Sequence, residues 1–382
     1  MLKTNQICDI AWLKSKIPPS YNSFSNKVNL VDLFSGCGGM TLGAFEALRH
    51  NEITPNIKLA IDNNKVAAKY FEKNFKEYLC KISTETIEDV IPSFPGDKIS
   101  NNDKEIIKKI GKVDVLLAGP PCQGHSRLNN HTRSKDPRNL LYLKAVRFAE
   151  LIKPPIIIIE NVTNILRDNY KVVDRSTQNL SKFGYHVLNL NINTAKFGIA
   201  QNRKRHIQVA TKKPIELDLT KYEAEYNLSD IIDDIVDEYK IVNDDFFYFP
   251  SKTKHKERID YLFNNNIYDL PDWLRPDCHK NKKHTYPSCY GRLKWDNPCT
   301  TITRGFGTMG QGRFLHPLRK RTISPHEAAR IQGFPDFFNF FSTKYRKDLH
   351  LMIANAVPPR IISIILNEII HLVKPKRVKN ER

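Results

Sequence analysis

The chain has 382 residues, 40% of them hydrophobic, which is too long and too apolar for a peptide module or a disordered tail and enough for two domains. Its 60 Lys and Arg against 41 Asp and Glu give a formal net charge of +19, which suits nucleic acid or an anionic lipid surface as a partner. Its apolar runs fall short of the roughly 18 to 20 residues of a spanning helix, so we expect no membrane anchor. Its start lacks the apolar core of a signal peptide, and its cysteines form no CxxC pair, so we expect a cytoplasmic protein without a disulfide framework.

Strand-like and helix-like segments alternate through the first half of the chain. They read, in order, KVNLVDLF, MTLGAFEALRH, IKLAID, NKVAAKYFEKNF, VDVLLAG and PPIIIIEN. This rhythm predicts an α/β fold with a doubly wound, mostly parallel sheet. The strands at 113–118 and 156–159 are apolar on both alternating faces, as strands between two helix layers must be. We therefore expect helices on both faces of the sheet.

The composition changes near Lys212. An acidic stretch at 216–245 precedes a segment rich in Tyr, Phe, Asn, Lys and Pro that has no βαβ rhythm, and residues 246–323 carry 15 Lys and Arg against 6 Asp and Glu. Helical periodicity returns at 324–332 and 360–372. These shifts predict a first domain at 1–212, a second, smaller domain at 213–323, and a C-terminal segment at 324–382 that returns to the first domain.

A glycine-rich turn follows the first predicted strand, in VDLFSGCGGMTLGAFEA. Gly36, Gly38 and Gly39 allow a close backbone approach to a ligand, and the next helix offers unpaired N–H groups at its start. Thr41 stands where the dinucleotide fingerprint needs its third glycine, and no GK[S/T] follows, so NAD and ATP are disfavoured. Asp62 ends the next strand, where an acid can bind ribose hydroxyls. The pattern favours a nucleoside-binding turn, with tight helix packing as the structural alternative.

Cys122 directly follows Pro120 and Pro121 at the end of a buried strand. The prolines fix φ and remove two N–H groups, so the turn would hold the thiol rigidly where the sheet opens. Most free cysteines are small buried hydrophobes, but this position makes Cys122 the candidate nucleophile.

Glu160 follows four consecutive isoleucines, where a carboxylate is costly unless it is used or paired. A helix cap or a buried salt bridge would also explain it. Like Gly36, Asp62 and Cys122, it ends a predicted strand, and ligands bind at the carboxyl ends of strands in open α/β sheets. We therefore predict one site at this edge.

Gln201, Arg203 and Arg205 alternate along the strand-like run FGIAQNRKRHIQVA. Period two puts all three on one face, and the apolar flanks indicate a directed face rather than the usual solvated charge run.

The cysteine and histidine spacing in the second domain fits no standard zinc finger, so no metal is expected. The residues concerned are Cys278, His279, His284, Cys289 and Cys299.

These segments together resemble the C5-cytosine DNA methyltransferases, from about Asn29 to Ile362 apart from the middle of the second domain. The resemblance rests on DLFSGCGG, GPPCQGHS, ENV and QNRKR, and on the later GRLKWDNPCTTIT, RTISPHEAARIQGFPD and IANAVPPRI. It implies a Rossmann-like S-adenosylmethionine-dependent methyltransferase fold, with 213–323 as the DNA target-recognition domain. It also implies S-adenosylmethionine as methyl donor and S-adenosylhomocysteine as product. The positions that match the family's cofactor contacts are Phe34, Gly36, Gly38, Gly39, Asp62, Pro120 and Asn355.

Two stretches depart from the family pattern. This chain reads LCKISTETI where the family usually has an Asp near the adenine of the donor, so the adenine contact is not assigned. Ala354 and Ala356 flank Asn355 where the family often has Gly-Asn-Ser or Gly-Asn-Ala, a change that keeps the Asn.

The matching residues suit methyl transfer to cytosine. C5 is a poor nucleophile, so the Cys122 thiolate would first add at C6. Glu160 would hydrogen-bond N3 as the ring gains electrons, and Arg205 or Arg203 would hold O2 or keep the thiol anionic. The cytosine must first be flipped out of the duplex.

DNA would be bound by the basic second domain and by a polar loop at 123–139. The residues predicted to contact DNA are Gln123, Ser126, Gln201, Arg304 and Arg313, with Lys280, Lys282 and Lys283 as further candidates for base or phosphate contacts.

The resemblance predicts a DNA (cytosine-5-)-methyltransferase that acts on a short double-stranded sequence as a monomer. We expect a compact prokaryotic type, working at the nucleoid as the modification enzyme of a restriction-modification system whose endonuclease acts separately. A tRNA cytosine-5 methyltransferase is the alternative within the chemistry, but that branch usually carries a late Cys-Phe-Thr, which this sequence lacks. A catalytically silent DNA-binding regulator is the alternative outside it, and the intact set of Cys122, Glu160, Arg203 and Arg205 argues against it.

Overall fold

A computed structural model describes residues 8–121, 136–237, 256–277, 289–340, 345–374 and 376–377. The strands of this part are β1 (Asn26–Leu33), β2 (Ile53–Ile61), β3 (Ile82–Ser83), β4 (Val115–Ala118), β5 (Ile156–Val162), β6 (His186–Asn193), β7 (Gln201–Asn202), β8 (Lys204–Thr211), β9 (Cys299–Thr300) and β10 (Lys376–Arg377). The central sheet has the order β3-β2-β1-β4-β5-β8-β6, with β10 against β1, and β7 pairs with β9 in a separate small sheet.

Most neighbours in the central sheet are parallel. The strands β3, β2, β1, β4 and β5 all run in one direction, and β8 is antiparallel to both β5 and β6. The carboxyl ends of β1, β2, β4 and β5 therefore meet at the same edge. The doubly wound, mostly parallel α/β fold predicted from the sequence is confirmed.

Helices cover the sheet. They are α1 (Ile10–Leu13), α2 (Gly39–His50), α3 (Lys65–Phe75), α4 (Ile87–Val90), α5 (Asn101–Ile110), α6 (Leu141–Ile152), α7 (Val172–Lys182), α8 (Leu228–Ile232), α9 (Lys256–Asn264), α10 (Pro325–Ile331), α11 (Arg346–Asn355) and α12 (Pro359–Ile369). Local signals set their ends. Ser324, for example, begins α10 with a capping box, in which its hydroxyl accepts from the Glu327 N–H and its own N–H donates to the Glu327 carboxylate.

Two apolar cores lie on opposite faces of the sheet. Ile156 and Ile158 of β5 pack into the core that α2, α3 and α12 complete, and Ile157 and Ile159 pack into the core with α6 and α7. All four side chains are fully buried. This is the two-faced burial that the run of isoleucines predicts.

The C-terminal helices belong to the first of these cores. α12 packs closely on α2, where a Cβ at Gly43 would overlap the carbonyl oxygen of Pro359. The stretch Arg346–Leu372 is long and apolar enough to cross a membrane, but 78% of its most apolar window is buried inside the protein. Its apolar side chains are accounted for by this packing.

The part between β8 and α10 contributes to two clusters. Tyr222, α8 and the segment around Ile302 join the first core, whereas Leu262, Leu270 and Tyr290 belong to a separate small cluster. β8 ends at Thr211, next to the change of composition at Lys212. The domain limits of 212 and 323 stay predictions.

Candidate active site

The glycine-rich turn and the end of β2 are joined by a direct contact. Phe34, Gly36 and Gly38 have positive φ angles of 59°, 55° and 103°, and the turn they form lets the Gly36 N–H donate to Asp62 Oδ2 at 2.7 Å. Asp62 Oδ1 accepts from the Asn64 N–H at 2.9 Å. Burial raises the pKa of Asp62, and the two N–H donors partly offset that rise.

Gly39 brings a third segment to the turn. It begins α2, and a Cβ there would overlap the carbonyl oxygen of Val357. Asn355 lies two residues before Val357, at the end of α11, and is exposed. Only a residue without a side chain lets these two backbones approach so closely. Gly36, Gly39, Asp62 and the turn after Asn355 therefore lie around one corner of the sheet edge.

A buried acid beneath this turn was not among the predicted site residues. Asp32 of β1 is 1% exposed, and Thr41 Oγ1 donates to its Oδ2 at 2.6 Å. Burial raises the pKa of Asp32 to about 7, and the Thr41 hydroxyl acts in the opposite direction. The carboxylate inside the apolar run LVDLF was the sequence signal for this pair. Thr41 stands where the dinucleotide fingerprint has its third glycine, and in the structure its hydroxyl binds the buried Asp32.

The turn after β4 is held by a residue of β5. Asn161 is 1% exposed, and its Nδ2 donates to the Pro120 carbonyl at 3.1 Å, while its Oδ1 accepts from the Val162 N–H at 2.8 Å. Pro120 is buried. Cys122, Gln123 and Ser126 lie outside the described residues. Asn161 therefore fixes the chain two residues before the predicted nucleophile, a role that the motif ENV carried but that the sequence-based prediction missed.

Glu160 and Arg205 form an ion pair at the end of β5. Arg205 Nε lies 2.9 Å from Glu160 Oε1, and the two side chains are 12% and 10% exposed. In the antiparallel pairing of β5 with β8, Glu160 is opposite Ile207, so the period of two puts Arg205 on the same face as Glu160. The site thus holds a mostly buried carboxyl group beside a guanidinium, and Glu160 Oε1 accepts no hydrogen bond from the described residues.

Arg203 is placed differently from Arg205. The predicted continuous strand is interrupted there, since β7 ends at Asn202 and β8 begins at Lys204. Arg203 is 3% exposed, and its guanidinium donates to the carbonyls of Ile302 at 3.3 Å, Ala354 at 3.0 Å and Ala356 at 3.2 Å. These contacts do not support the expected contact with cytosine. They hold the backbone on both sides of Asn355.

Gln201 is fully buried and bonded within the protein. Its Oε1 accepts from the Ile302 N–H at 2.8 Å, and its Nε2 donates to Gln332 Oε1 at 2.7 Å. This arrangement does not support the expected DNA contact. The alternation of QNRKR predicted one directed face, but the three side chains do not share a strand.

The two arginines between β8 and α10 that were predicted to contact DNA, Arg304 and Arg313, differ in their exposure and bonding. Arg304 is exposed, in the segment that follows β9. Arg313 Nη1 donates to the carbonyls of Tyr268 at 3.1 Å and Arg292 at 2.9 Å, and its Nη2 pairs with Asp269. Arg304 is therefore presented to solvent, whereas Arg313 is engaged in local packing, which does not support a DNA contact.

Within the residues that the structure describes, no group of three or more His, Cys, Asp or Glu side chains is placed to hold a metal ion. Cys278, His279, His284, Lys280, Lys282 and Lys283 lie outside the described residues.

Sequence comparison relates most of the chain to known proteins. The profile of the family described as C-5 cytosine-specific DNA methylase matches residues 28–371. The Type II methyltransferase M1.BsuMI of Bacillus subtilis (strain 168) is 43% identical over 364 residues, which cover 94% of this chain and 84% of the relative. The Type II methyltransferase M.DdeI of Desulfomicrobium norvegicum is 28% identical over 391 residues, with coverage of 90% and 88%.

Solved structures share the fold. A putative DNA modification methyltransferase encoded within a prophage of E. coli superposes with a TM-score of 0.61 at 23% identity, covering 90% of this chain and 99% of that one. The Entamoeba histolytica methyltransferase EhMeth superposes with a TM-score of 0.59 at 19% identity, covering 91% and 99%. At these identities the likeness shows the fold alone.

Proposed function

The chain belongs to the C-5 cytosine-specific DNA methylase family and is a DNA (cytosine-5-)-methyltransferase, and from this premise we propose how its own residues carry out the reaction. The methyl group passes from S-adenosylmethionine to C5 of a cytosine that is flipped out of a short, specific duplex sequence, through a covalent adduct of Cys122. The observation that carries the proposal is that three parts of the site meet at one edge of the sheet. They are the glycine turn with Asp62, the Pro120 turn held by Asn161, and Glu160 with Arg205 beside it.

The corner around the glycine turn fits S-adenosylmethionine. A Cβ at Gly36 would meet no atom of the described residues within 4 Å, so a ligand can approach its backbone. Each Asp62 oxygen accepts one backbone N–H, which leaves further lone pairs for ribose hydroxyls. Phe34, Gly38, Gly39, Pro120 and Asn355 complete the proposed site. When bound, the donor supplies an electrophilic methyl group on a sulfonium.

Cys122 starts the reaction on the base. Its thiolate forms a bond to C6, and the electrons of the C5=C6 bond move into the ring and make C5 nucleophilic. Asn161 supports this step by holding the Pro120 carbonyl, which fixes the chain that leads to Cys122. After C5 has taken the methyl group, loss of the C5 proton to a base and cleavage of the S–C6 bond restore the aromatic ring and the thiolate.

Glu160 and Arg205 control the charge on the ring. The carboxylate that pairs with Arg205 has no proton to give, so Glu160 takes up a proton before this step. The carboxylic acid then donates it towards N3, where electron density builds up after the addition at C6. Arg205 Nε lies 2.9 Å from that carboxyl. Arg205 Nη1 donates to the Lys204 carbonyl at 2.7 Å, and Nη2 suits the O2 carbonyl. We assign Arg203 to positioning, because its Nη1 and Nη2 groups donate to the carbonyls of Ile302, Ala354 and Ala356.

The partner is double-stranded DNA. Residues 246–323 carry 15 basic against 6 acidic residues, which suits a phosphate backbone, and Arg304 is exposed in the part of this region that the structure describes. Since the relatives M1.BsuMI and M.DdeI are named Type II methyltransferases, we propose a modification enzyme of a restriction-modification system, acting in the cytoplasm as a monomer while its endonuclease acts separately.

The reaction is tested by transfer of tritium from labelled S-adenosylmethionine to unmethylated duplex DNA, followed by bisulfite sequencing of the product. Protection of one cytosine within a short recurring sequence is expected, and the Cys122→Ser variant should transfer no label. Transfer to tRNA and not to DNA would favour the RNA-directed alternative. Transfer to neither would favour a silent DNA-binding protein.

A further inference from the structure

Three buried side chains connect segments that are far apart in the sequence. Gln201, Arg203 and Gln332 are at most 3% exposed, and we call them the buried bridge. Their partners include backbone groups of the segment after β9 and of the end of α11, and the two glutamines also bond each other. The first segment leads to the exposed Arg304 and the second carries the exposed Asn355.

On one side, the bridge holds both backbone groups of Ile302. Its N–H donates to Gln201 Oε1 at 2.8 Å, and its carbonyl accepts from Arg203 Nη1 at 3.3 Å. The neighbouring residue is fixed as well, because Thr301 Oγ1 donates to the Asn202 carbonyl at 2.7 Å. The path of the chain two residues before Arg304 is therefore set by the bridge.

On the other side, the bridge holds the carbonyls around Asn355. Gln332 Nε2 donates to the Ile353 carbonyl at 2.6 Å, and Arg203 Nη2 donates to those of Ala354 and Ala356 at 3.0 and 3.2 Å. Val357, the next residue, lies against Gly39 of the glycine turn. A shift of this turn would therefore move Asn355 relative to the cofactor corner.

The two glutamines form a relay with a fixed direction. Gln201 accepts from Ile302 and donates to Gln332 at 2.7 Å, and Gln332 accepts from Gln201 and donates to Ile353. Reversing either amide would set donor against donor and acceptor against acceptor. A buried amide left unpaired is costly. The segment at Ile302 and the segment at Ile353 therefore tend to keep their hydrogen bonds to the relay together or to lose them together.

We propose that the buried bridge couples the DNA side of the enzyme to the cofactor side, so that each ligand strengthens binding of the other. Gln201, Arg203 and Gln332 are then positioning residues, acting through Ile302 and the turn around Asn355. The inference rests on the proposed function, which assigns Arg304 to DNA and Asn355 to S-adenosylmethionine. Coupling between two sites is reciprocal, so the same factor must appear for both ligands, on the order of 10-fold.

The test measures coupling by binding alone. The Kd of S-adenosylhomocysteine is measured by calorimetry with and without an unmethylated duplex that carries the site found by bisulfite sequencing, and the Kd of that duplex is measured by anisotropy with and without S-adenosylhomocysteine. The wild type should show the same factor in both directions, about 10-fold. Gln332→Leu, which removes the relay while keeping a similar volume, should reduce this factor to below about 2-fold.

Gln208→Leu is the matched control. Gln208 is also fully buried, and its amide bonds Ser176, Thr177 and Asn189, none of which is a residue of the buried bridge or a proposed contact of either ligand. This variant should lose stability but keep the coupling factor. Gln332→Glu gives a second reading if Gln332→Leu does not fold, because its carboxylate keeps the acceptor for Gln201 but loses the donor to Ile353.

The outcomes separate the two proposals. Full coupling in a folded Gln332 variant, equal loss of coupling in Gln208→Leu, or no coupling in the wild type would overturn the inference while leaving the methyltransferase activity intact. A wild type that binds neither S-adenosylhomocysteine nor duplex DNA would overturn the proposed function itself.

Discussion

Glu160 and Arg205 place a carboxyl group and a guanidinium 2.9 Å apart at the edge of the sheet. Glu160→Gln keeps the size of the side chain but removes the proton donor for N3, so kcat should fall by about 100-fold to 10,000-fold in single-turnover methylation. The Kd of S-adenosylhomocysteine should stay unchanged, because Glu160 acts on the base. Glu150→Gln is the control, since Glu150 pairs with Arg147 on α6 at 2.7 Å and touches no proposed ligand site. A decrease of less than tenfold would exclude Glu160 as the acid.

Asp32 should make the stability of the fold depend on pH. Its pKa is raised from 3.8 to about 7 by burial, so the folded chain keeps a proton that the unfolded chain has lost between these values. The free energy of unfolding therefore falls as pH rises from about 4 to about 7. Asp32→Asn removes this contribution. In urea unfolding, the free energy of unfolding of the variant minus that of the wild type should therefore be roughly 2 to 3 kcal/mol larger at about pH 8 than at about pH 5. An equal difference at both pH values would show that Asp32 is ionised in the folded state.

At the scale of elements, the packing of α2 against the C-terminal part of the chain depends on two glycines, one at the start of the helix and one a turn later. A Cβ at Gly39 would overlap the carbonyl of Val357, and one at Gly43 would overlap that of Pro359. Both Gly39→Ala and Gly43→Ala should lower the free energy of unfolding by about 1 to 3 kcal/mol, because two backbones are forced apart. Only Gly39 lies in the cofactor corner, so Gly39→Ala should weaken S-adenosylhomocysteine binding more than Gly43→Ala does, by calorimetry. Equal weakening by both would mean that the whole helix, and not its first turn, sets the affinity.

The sequence predicts elements and edges better than it predicts side-chain partners. Gly36 and Asp62 could be placed together because parallel strands bring their carboxyl ends to one edge, and the chain has a strand before each. The hydrogen-bond partners of Arg203 could not be predicted in this way. Its carbonyl partners at Ala354 and Ala356 lie about 150 residues further along the chain, and local alternation carries no information about them. Asn161 was missed for the same reason, since its partner Pro120 belongs to another strand end.

At the scale of the whole molecule, the basic residues differ in whether they are exposed or bonded within the protein. The formal charge of +19 gives the protein a long-range attraction for DNA, but arginines that are bonded to carbonyls and carboxylates inside the fold release few counterions on binding. Arg203 and Arg313 are examples, with donors bound to backbone carbonyls. We therefore expect arginines held in this way to make no phosphate contacts, and exposed side chains such as Arg304 to make them.

The salt dependence of DNA binding should separate the two kinds of arginine. The logarithm of the binding constant falls linearly with the logarithm of salt concentration, by about 0.9 for each phosphate contact. Arg304→Gln should reduce the magnitude of this slope by about 1, because Arg304 is exposed in the basic region. Arg313→Gln is the matched control, since its donors are held by the carbonyls of Tyr268 and Arg292; it should lower thermal stability and leave the slope unchanged. Anisotropy titrations over a series of salt concentrations measure both slopes, and a smaller slope for Arg313→Gln alone would assign the phosphate contact to Arg313 and require it to leave Asp269 when DNA binds.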